Sequence, residues 1–455
     1  SVVRIHPAVP KMTKDKKNKP SKELPLGFVD RQEKELLVRD FIISNIKEVM
    51  IKYGFQYLET PSFEYSDSIG KFLPDKDRPD EGVFSFKDDN KWLSLRYDLT
   101  APLARYVAKN YLEIPKPFKR YQLGNVWRNE KPGPGRFREF LQFDADFVGT
   151  KNLQADAELC VMISEILEMS GLSKSEYVIK ISSRKITDEL FKKIKIEDVK
   201  QKLTTLRALD KIDRLGWDEV KKLLKEGRKD RSGDFTKGAN LSLKNIEVIE
   251  KELKKKSPET EDLIEMLKIF KDYNFNNFEF DPTIIRGLEY YTGVIFEVNL
   301  KFDVKNSKGQ VIQFGSIGGG GRYDDLVNNF GNYDAPATGI SIGLDRLVYA
   351  LMQKREFKIK QSKPVVICVF DKGLMREYIN LQNILRTVGI SAEIYPGDGK
   401  LKKQMEYANK IQSPAVILYG EDEIKSGKLT LKNLSSGDEK SIKIKELVNE
   451  TKKII

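Results

Sequence analysis

Histidine is all but missing from this chain: His6 is the only one among 455 residues. That removes Ser-His-Asp catalysis, histidine-ligated metals and a histidine general base in one step. Cysteine is nearly as scarce, with Cys160 and Cys368 alone, so neither a disulfide framework nor a cysteine zinc cluster is available. No apolar run approaches the ~20 residues a helix needs to cross a bilayer, and no signal-peptide apolar region follows the N-terminus. A cytoplasmic protein with no membrane partner is expected, an organelle address being left open. Whatever chemistry occurs must rest on Arg, Lys, Asp, Glu, Tyr and a bound metal ion.

What is present is charge, with enough apolar matter for real cores. Hydrophobic residues make up 40% of the chain and aromatic ones 10%, while 33% are charged. The length suits about three domains. Lys and Arg number 80 against 68 Asp and Glu, a net +12, with a pI near 9.2. That balance suits a polyanionic partner, because each neutralised phosphate releases counterions, and nucleic acid is the favoured class. Residues 1–24, with KMTKDKKNKPSK at 11–22, form a basic arm. The chain opens on Ser1 instead of Met, which leaves room for a segment upstream.

Periodicity divides the rest. Asp30-x-x-Glu33 has the form of a capping box, and Leu36, Leu37, Phe41, Ile42, Ile46, Val49 and Tyr53 recur at helical spacing up to Gly54. FQYLET reads as a strand running into Pro61, KWLSLRY (91–97) alternates as another, and APLARYVAKNYL (101–112) is helical. FKRYQLGNVWRNE (118–130) and FREFLQFDADFVG (137–149) are strands joined by KPGPGR, whose Pro and Gly punctuation predicts a hairpin. A helix from Gln154 to Ser170, closed by Gly171, and the strand EYVIKIS follow.

From 184 to 272 the chain is rich in Lys, Glu and Leu with almost no strand pattern, which predicts an inserted helical subdomain. Strands resume with FEFDPTII, VIFEVNLKF and VIQFGSIGGGG, and LDRLVYALM (344–352) is helical. Beyond the linker REFKIKQSK, strand and helix alternate, so 363–455 is expected to be a separate α/β domain. Over 25–183 and 273–354 strand follows strand, which predicts a mostly antiparallel sheet. The fold class is α+β.

Chemistry concentrates in a few stretches. WRNEKPGPGRFREF places Arg128 and Glu130 on one strand and Arg136, Arg138 and Phe140 across a Pro/Gly loop. Arginines flanking a hairpin can fork around phosphate oxygens, although isolated charges on a hairpin are more often surface ion pairs. SIGGGGRYDDL (316–326) lacks the Lys-Ser/Thr of a P-loop and the Rossmann spacing. Its glycines suit either a bulge or close approach of backbone to a ligand. TGISIGLDRLVYAL leads from a glycine-broken strand into a helix carrying Arg346, which taken singly is a solvated helix residue. In LRYDLTAP, Asp98 and Thr100 share a face if extended; taken singly, Asp98 is a helix cap. RGLEYYTG (286–293) puts an arginine beside a glycine, two adjacent phenols and a second glycine between strands.

In their order these stretches resemble a known family. The strand with Pro61, the Arg-loop-Arg hairpin and the Gly-strand-Arg helix resemble the three signature motifs of class II aminoacyl-tRNA synthetases. RGLEYYTG and SIGGGGRYDDL resemble the two stretches peculiar to histidyl-tRNA synthetases, and the KPGPGRF loop resembles an alphaproteobacterial or organelle-type lineage. The resemblance runs from about residue 25 to the C-terminal domain, where the family places anticodon recognition. It implies activation of L-histidine with ATP and Mg2+, transfer to tRNA-His, and a homodimer.

It also implies roles. Arg286 would hold the α-phosphate and the histidine carboxylate, where other class II enzymes use a second magnesium. Tyr290 and Tyr291 would line the amino-acid pocket, Tyr291 reaching the imidazole, and Tyr323 would close it. Asp146 would pair with the other ring nitrogen. Asp98, Thr100 and Gln142 match the clamp on the α-amino group. Arg128 matches the α-phosphate arginine, Arg136 and Arg346 the γ-phosphate arginines, Glu130 the adenine-contacting acid and Phe140 the adenine-stacking ring. No metal ligand is assigned.

The set is chemically coherent. A substrate carboxylate is already a nucleophile, so attack on the α-phosphate needs no general base and a chain with one histidine can run it. The reaction needs two anions held together and charge stabilised at phosphorus, which preorganised arginines and a magnesium on the β/γ-phosphates supply. A catalytically dead paralogue that only binds is the competing class. Such chains lose catalytic arginines or the C-terminal domain, whereas Arg128, Arg286, Arg346 and 363–455 are all present. Prolyl or threonyl enzymes of the same class would lack RGLEYYTG.

Overall fold

The computed structural model describes residues 21–70, 82–229, 233, 235–285, 291–357 and 363–455. Two compact units result, Ser1–Phe357 and Lys358–Ile455.

The first unit is built on an eight-stranded sheet. Its strands, in chain order, are β1 (Gln56–Tyr57), β2 (Phe118–Trp127), β3 (Glu139–Val148), β4 (Tyr177–Ser183), β5 (Phe278–Phe280), β6 (Val294–Leu300), β7 (Gly318–Arg322) and β8 (Ala337–Gly343). They lie in the order β1-β2-β3-β8-β7-β6-β4-β5. The six inner strands pair antiparallel, and each edge strand adds in parallel. The sheet is mostly antiparallel, as strand following strand predicts.

Three helices cover its apolar face: α1 (Glu33–Lys52), α3 (Leu153–Met169) and α4 (Leu344–Lys354), while α2 (Thr100–Lys109) follows the LRYDL loop. From α1, Val38, Ile42, Ile46 and Val49 are buried at helical spacing; of the stripe expected from the sequence only Ile42, Ile46 and Val49 are buried, while Leu36, Leu37 and Tyr53 are half-buried and Phe41 is exposed. Leu159, Ile163, Ile166 and Leu167 of α3 and Leu347, Val348 and Leu351 of α4 complete the layer. Burying a side chain of this kind contributes about 1.5–3 kcal/mol, so these stripes dock the helices.

Some local expectations fail: FEFDPTII keeps only Phe278–Phe280 as strand, and VIQFGSIGGGG divides into Val311–Ile312, paired with Val304–Lys305 in a separate hairpin, and Gly318–Arg322 in the large sheet. The Asp30-x-x-Glu33 capping box does not form: α1 starts at Glu33 after Gln32, and no side chain caps it. The entry is held instead by Arg31, which ion-pairs with Glu35 and, at 2.7 Å, with Asp345 of α4. FQYLET contributes only Gln56–Tyr57 as strand, because its partner runs parallel to it for only the pairs Gln56–Arg120 and Tyr57–Tyr121.

Residues 184–253 carry helices at Arg184–Lys193, Val199–Leu209, Ile212–Leu215, Trp217–Leu224 and Leu243–Leu253 around a shared apolar cluster that includes Phe191, Leu206, Val220 and Ile249. They also carry one short hairpin, Gly227–Lys229 with Phe235–Lys237. Helix Glu261–Asp272 packs instead on α3, and its Asp262 accepts from Ser183 of β4 at 2.7 Å.

The second unit has its own five-stranded sheet. Strands β9 (Val365–Ile367), β10 (Ala392–Ile394) and β11 (Ala415–Leu418) are parallel, and β12 (Lys428–Asn433) and β13 (Glu439–Lys443) extend them antiparallel. Apolar clusters on Val365, Ile367 and Leu385 and on Val366 and Ala408 cover its two faces.

Candidate active site

The other face of the large sheet is polar. Residues directly opposite in an antiparallel pair share a face. The register therefore sets Arg120, Asp146, Gly339 and Gly321 in one row, and Gln122, Asp144, Ser341 and Gly319 in the next. Gly124, Gln142 and Gly343 form a third. The glycines keep the floor clear. A Cβ at Gly339 would lie 1.9 Å from Asp146 Oδ1, and one at Gly321 would lie 3.1 Å from Tyr291 Cδ1. The run Gly318–Gly321 is thus a strand in mid-sheet, neither a bulge nor a turn.

Asp146 and Arg120 form a buried ion pair at 3.2 Å, with side chains 2% and 0% exposed. Arg120 also donates to the Leu99 carbonyl at 2.9 Å. The other carboxylate oxygen of Asp146 accepts from the Tyr323 hydroxyl. Burial raises the Asp146 pKa against the pull of Arg120 and Tyr323. Burial, followed by the charge of Asp146, pushes the Tyr323 phenol well above its usual value, so it remains a donor.

One pleat along, Asp144 is 1% exposed. It accepts from Gln142 Nε2 at 2.7 Å and from the Thr100 hydroxyl at 3.3 Å. Burial, then the neighbouring Asp146, push its pKa up to about 7, opposed by Arg120, Gln142 and Ser341. Asp98 Oδ1 accepts from the backbone N–H of Thr100 and Ala101 at 3.1 and 2.9 Å, so it does cap α2. Buried Arg96 holds the same loop, donating to the carbonyls of Thr60 and Asn125, each at 2.7 Å.

The arginines gather at the hairpin end. Arg128 lies 4.4 Å over the Tyr97 ring and 5.2 Å from the Phe140 ring. Its Nη2 reaches Gln142 Oε1 at 3.5 Å and its Nε the Tyr97 carbonyl at 3.2 Å. The Tyr97 hydroxyl donates to Glu130 at 2.5 Å. Arg138 serves the hairpin itself, donating to the Glu130 carbonyl at 3.1 Å. Arg346 lies 4.3 Å over the Phe314 ring and donates to the Phe314 and Ser316 carbonyls. A Cβ at Gly315 would be 3.8 Å from Nη2 of both Arg136 and Arg346, so two residues distant in sequence converge on one space. Two guanidinium groups this close can hold one anion between them.

Asp98, Thr100, Gln142, Asp146, Tyr291 and Tyr323 thus lie around one floor, with Arg128 and Phe140 beside it and Glu130, Arg136 and Arg346 toward the hairpin. Arg286 and Tyr290 lie outside the described residues. Sequence reasoning missed Arg120, Asp144 and Tyr97. For Asp144 a signal was available: in QFDADFV, polar residues 142, 144 and 146 alternate along a strand otherwise apolar, which puts all three on one face. Among the described residues no group of three or more His, Cys, Asp or Glu could cage a metal ion.

A family model described as histidyl-tRNA synthetase matches residues 27–347, and one described as an anticodon binding domain matches 364–454. The histidine–tRNA ligase of Bartonella henselae is 46% identical over 460 residues, spanning 95% of this chain and 93% of that one. The Brucella ovis enzyme of the same name is 44% identical over 463 residues, spanning 95% and 92%. Among solved structures, the histidyl-tRNA synthetase from Nostoc sp. PCC 7120 superposes with a TM-score of 0.70 at 26% identity, covering 96% of this chain and 100% of that one. The apo Staphylococcus aureus synthetase shares the fold, with a TM-score of 0.63 at 22% identity and coverage of 94% and 99%.

Proposed function

The chain belongs to the histidyl-tRNA synthetase family, and we propose how its residues carry out that family's reaction. Histidine is activated with ATP to histidyl-adenylate and pyrophosphate, and is then passed to the 3′ end of the histidine tRNA. The observation that carries the residue-level reading is the buried row Arg120–Asp146–Gly339–Gly321, with Tyr323 bonded to Asp146 and Tyr291 packed on Gly321.

In this reading the imidazole lies on the glycine floor. Asp146 takes one ring nitrogen and the Tyr291 phenol the other. A site that pairs both nitrogens can reject analogues lacking them by roughly 10⁴–10⁵. Thr100 and Gln142 accept from the α-ammonium, and Asp98 fixes Thr100 through the α2 cap. Arg128 stabilises charge at the α-phosphate as the histidine carboxylate attacks, and Arg286 presses carboxylate and phosphate together. Phe140 stacks on adenine, and Glu130, braced by Tyr97, receives its amino group. Arg136 and Arg346 take the γ-phosphate. Magnesium enters as part of the MgATP substrate, since Mg2+ often binds through phosphates and water. Residues 363–455 receive the anticodon arm, and the working unit is a homodimer.

ATP–pyrophosphate exchange with each amino acid in turn tests this. Exchange should depend on histidine and magnesium and need no zinc. Equal stimulation by proline or threonine would sink the assignment, and histidine binding without exchange would favour a regulatory paralogue.

A further inference from the structure

Asp144 has no place in the scheme above, yet it is bonded to two groups that do. From this geometry we infer that Asp144 is a positioning residue: it orients Thr100 and Gln142 so that both turn hydrogen-bond acceptors toward the α-ammonium of histidine. The inference rests on the reading that the α-amino group sits at those two residues.

The logic is donor and acceptor counting. A carboxylate only accepts. Gln142 must therefore spend Nε2 on Asp144, 2.7 Å away, which leaves Oε1 pointing elsewhere; its other contact is Arg128 Nη2 at 3.5 Å. Thr100 likewise spends its one hydroxyl proton on Asp144 at 3.3 Å, leaving its lone pairs outward. An ammonium has three donors and no acceptor, so two outward acceptors are what it needs. Without Asp144, the Gln142 amide could turn its NH2 toward the ammonium and the Thr100 hydroxyl could rotate. A glutamine and a threonine cannot by themselves choose the right face; a buried acceptor behind them can.

The cost falls on Asp144. It is buried beside Asp146 on its own strand, with Arg120 on β2, Arg96 before α2 and Tyr323 after β7 as the other charged or titrating groups that sense it. Its pKa of about 7 exceeds the usual value near 3.9. Between those values the folded chain holds a proton that the unfolded chain has lost. The folding stability this group provides is therefore full at low pH and lost as pH rises through about 7. Asp144→Asn, which removes the charge, should then fold at least as well as the parent at pH 8.

The test pairs that variant with imidazolepropionate, the analogue of histidine that lacks the amino group. Intact protein should bind histidine more tightly than the analogue by about tenfold or more, as for a charged hydrogen bond. In Asp144→Asn the histidine affinity should fall to near that of the analogue, while the analogue and MgATP bind as before. Equal loss of both ligands, or undiminished preference for histidine, would overturn the positioning role and leave the pocket reading standing. Equal binding of both ligands to the intact protein would instead refute the placement of the amino group, and the inference with it. The unsubstituted chain offers a second readout. Its histidine-to-analogue affinity ratio should drop by about tenfold between roughly pH 8 and pH 6 as Asp144 protonates, because the carboxyl proton is then donated from one oxygen to Thr100 or Gln142 and turns that partner's own donor outward. The ratio cancels titration of Asp146; each free ligand's imidazole titration, which differs because the α-ammonium lowers it in histidine, is measured by NMR and divided out, and a flat corrected ratio would overturn the proposal.

Discussion

Arg120 places its guanidinium 3.2 Å from Asp146 Oδ2 where neither side chain is more than 2% exposed. An ion pair this dry contributes little net stability, yet removing one partner is costly because the other charge stays buried. Arg120→Met should destabilise the fold by about 3–5 kcal/mol in denaturant titrations, leaving Asp144 and Asp146 together without their cation. Asp146→Asn is gentler: it keeps shape and one acceptor. It should weaken histidine by roughly 2–5 kcal/mol, the cost of losing one partner of a desolvated charged contact, and leave MgATP affinity unchanged. Isothermal titration with each ligand separates these outcomes, and equal losses for both would make Asp146 structural only. Asp146 was legible because a motif surrounds it. Arg120 was not, since a lone arginine in FKRYQLG looks like any surface charge until the register sets it opposite Asp146.

At the scale of elements, legibility followed local pattern. The hairpin of β2 and β3, the helix α1 and the helix closed by Gly171 all rest on periodicity or punctuation within one segment, and all form, although the buried face of α1 takes in Val38 and leaves Phe41 exposed. The capping box failed because a tertiary tie, Arg31 to Asp345, replaced a local one. Strand β13 went unseen because Ile442 is its one apolar residue, whereas β12 did carry a signal, Leu429 and Leu431 alternating with Lys428, Thr430 and Lys432. The glycine run was hardest to place, since sequence alone cannot say that a bare strand lies between β6 and β8. Its neighbour gives a sharp test. Gly339→Ala would put a methyl 1.9 Å from Asp146 Oδ1, and relief by side-chain shift costs roughly 1–3 kcal/mol. The variant should stay folded by circular dichroism and bind MgATP, while histidine-dependent exchange collapses. Normal exchange would mean that Asp146 does not need its observed position.

For the whole molecule, the function proposed above assigns activation to the first compact unit and the anticodon arm to the second. Every residue assigned to activation precedes Phe357, and the 363–455 unit, with 16 Lys and Arg against 12 Asp and Glu, matches an anticodon-binding model. Its sheet and two apolar clusters are its own. Deleting 363–455 should leave histidine-dependent exchange measurable, while aminoacylation falls through lost tRNA binding. Binding of tRNA to the intact chain should weaken steeply with salt, as several phosphate contacts imply. A dimeric truncation that charges tRNA as well as the intact chain and still discriminates anticodons would defeat this division.

Strand β7 has one more consequence. From Gly318 to Gly321 it offers no side chain to either face of the sheet, so nothing in that run distinguishes its register from a slip by one residue, which would normally turn every side chain over. The alignment must be pinned from its end. Arg322 anchors on Asp156 and on the carbonyls of Thr150 and Asn152, and Tyr323 on Asp146. The tyrosine proposed to close the amino-acid pocket is therefore also the peg that keeps the glycine strand from sliding.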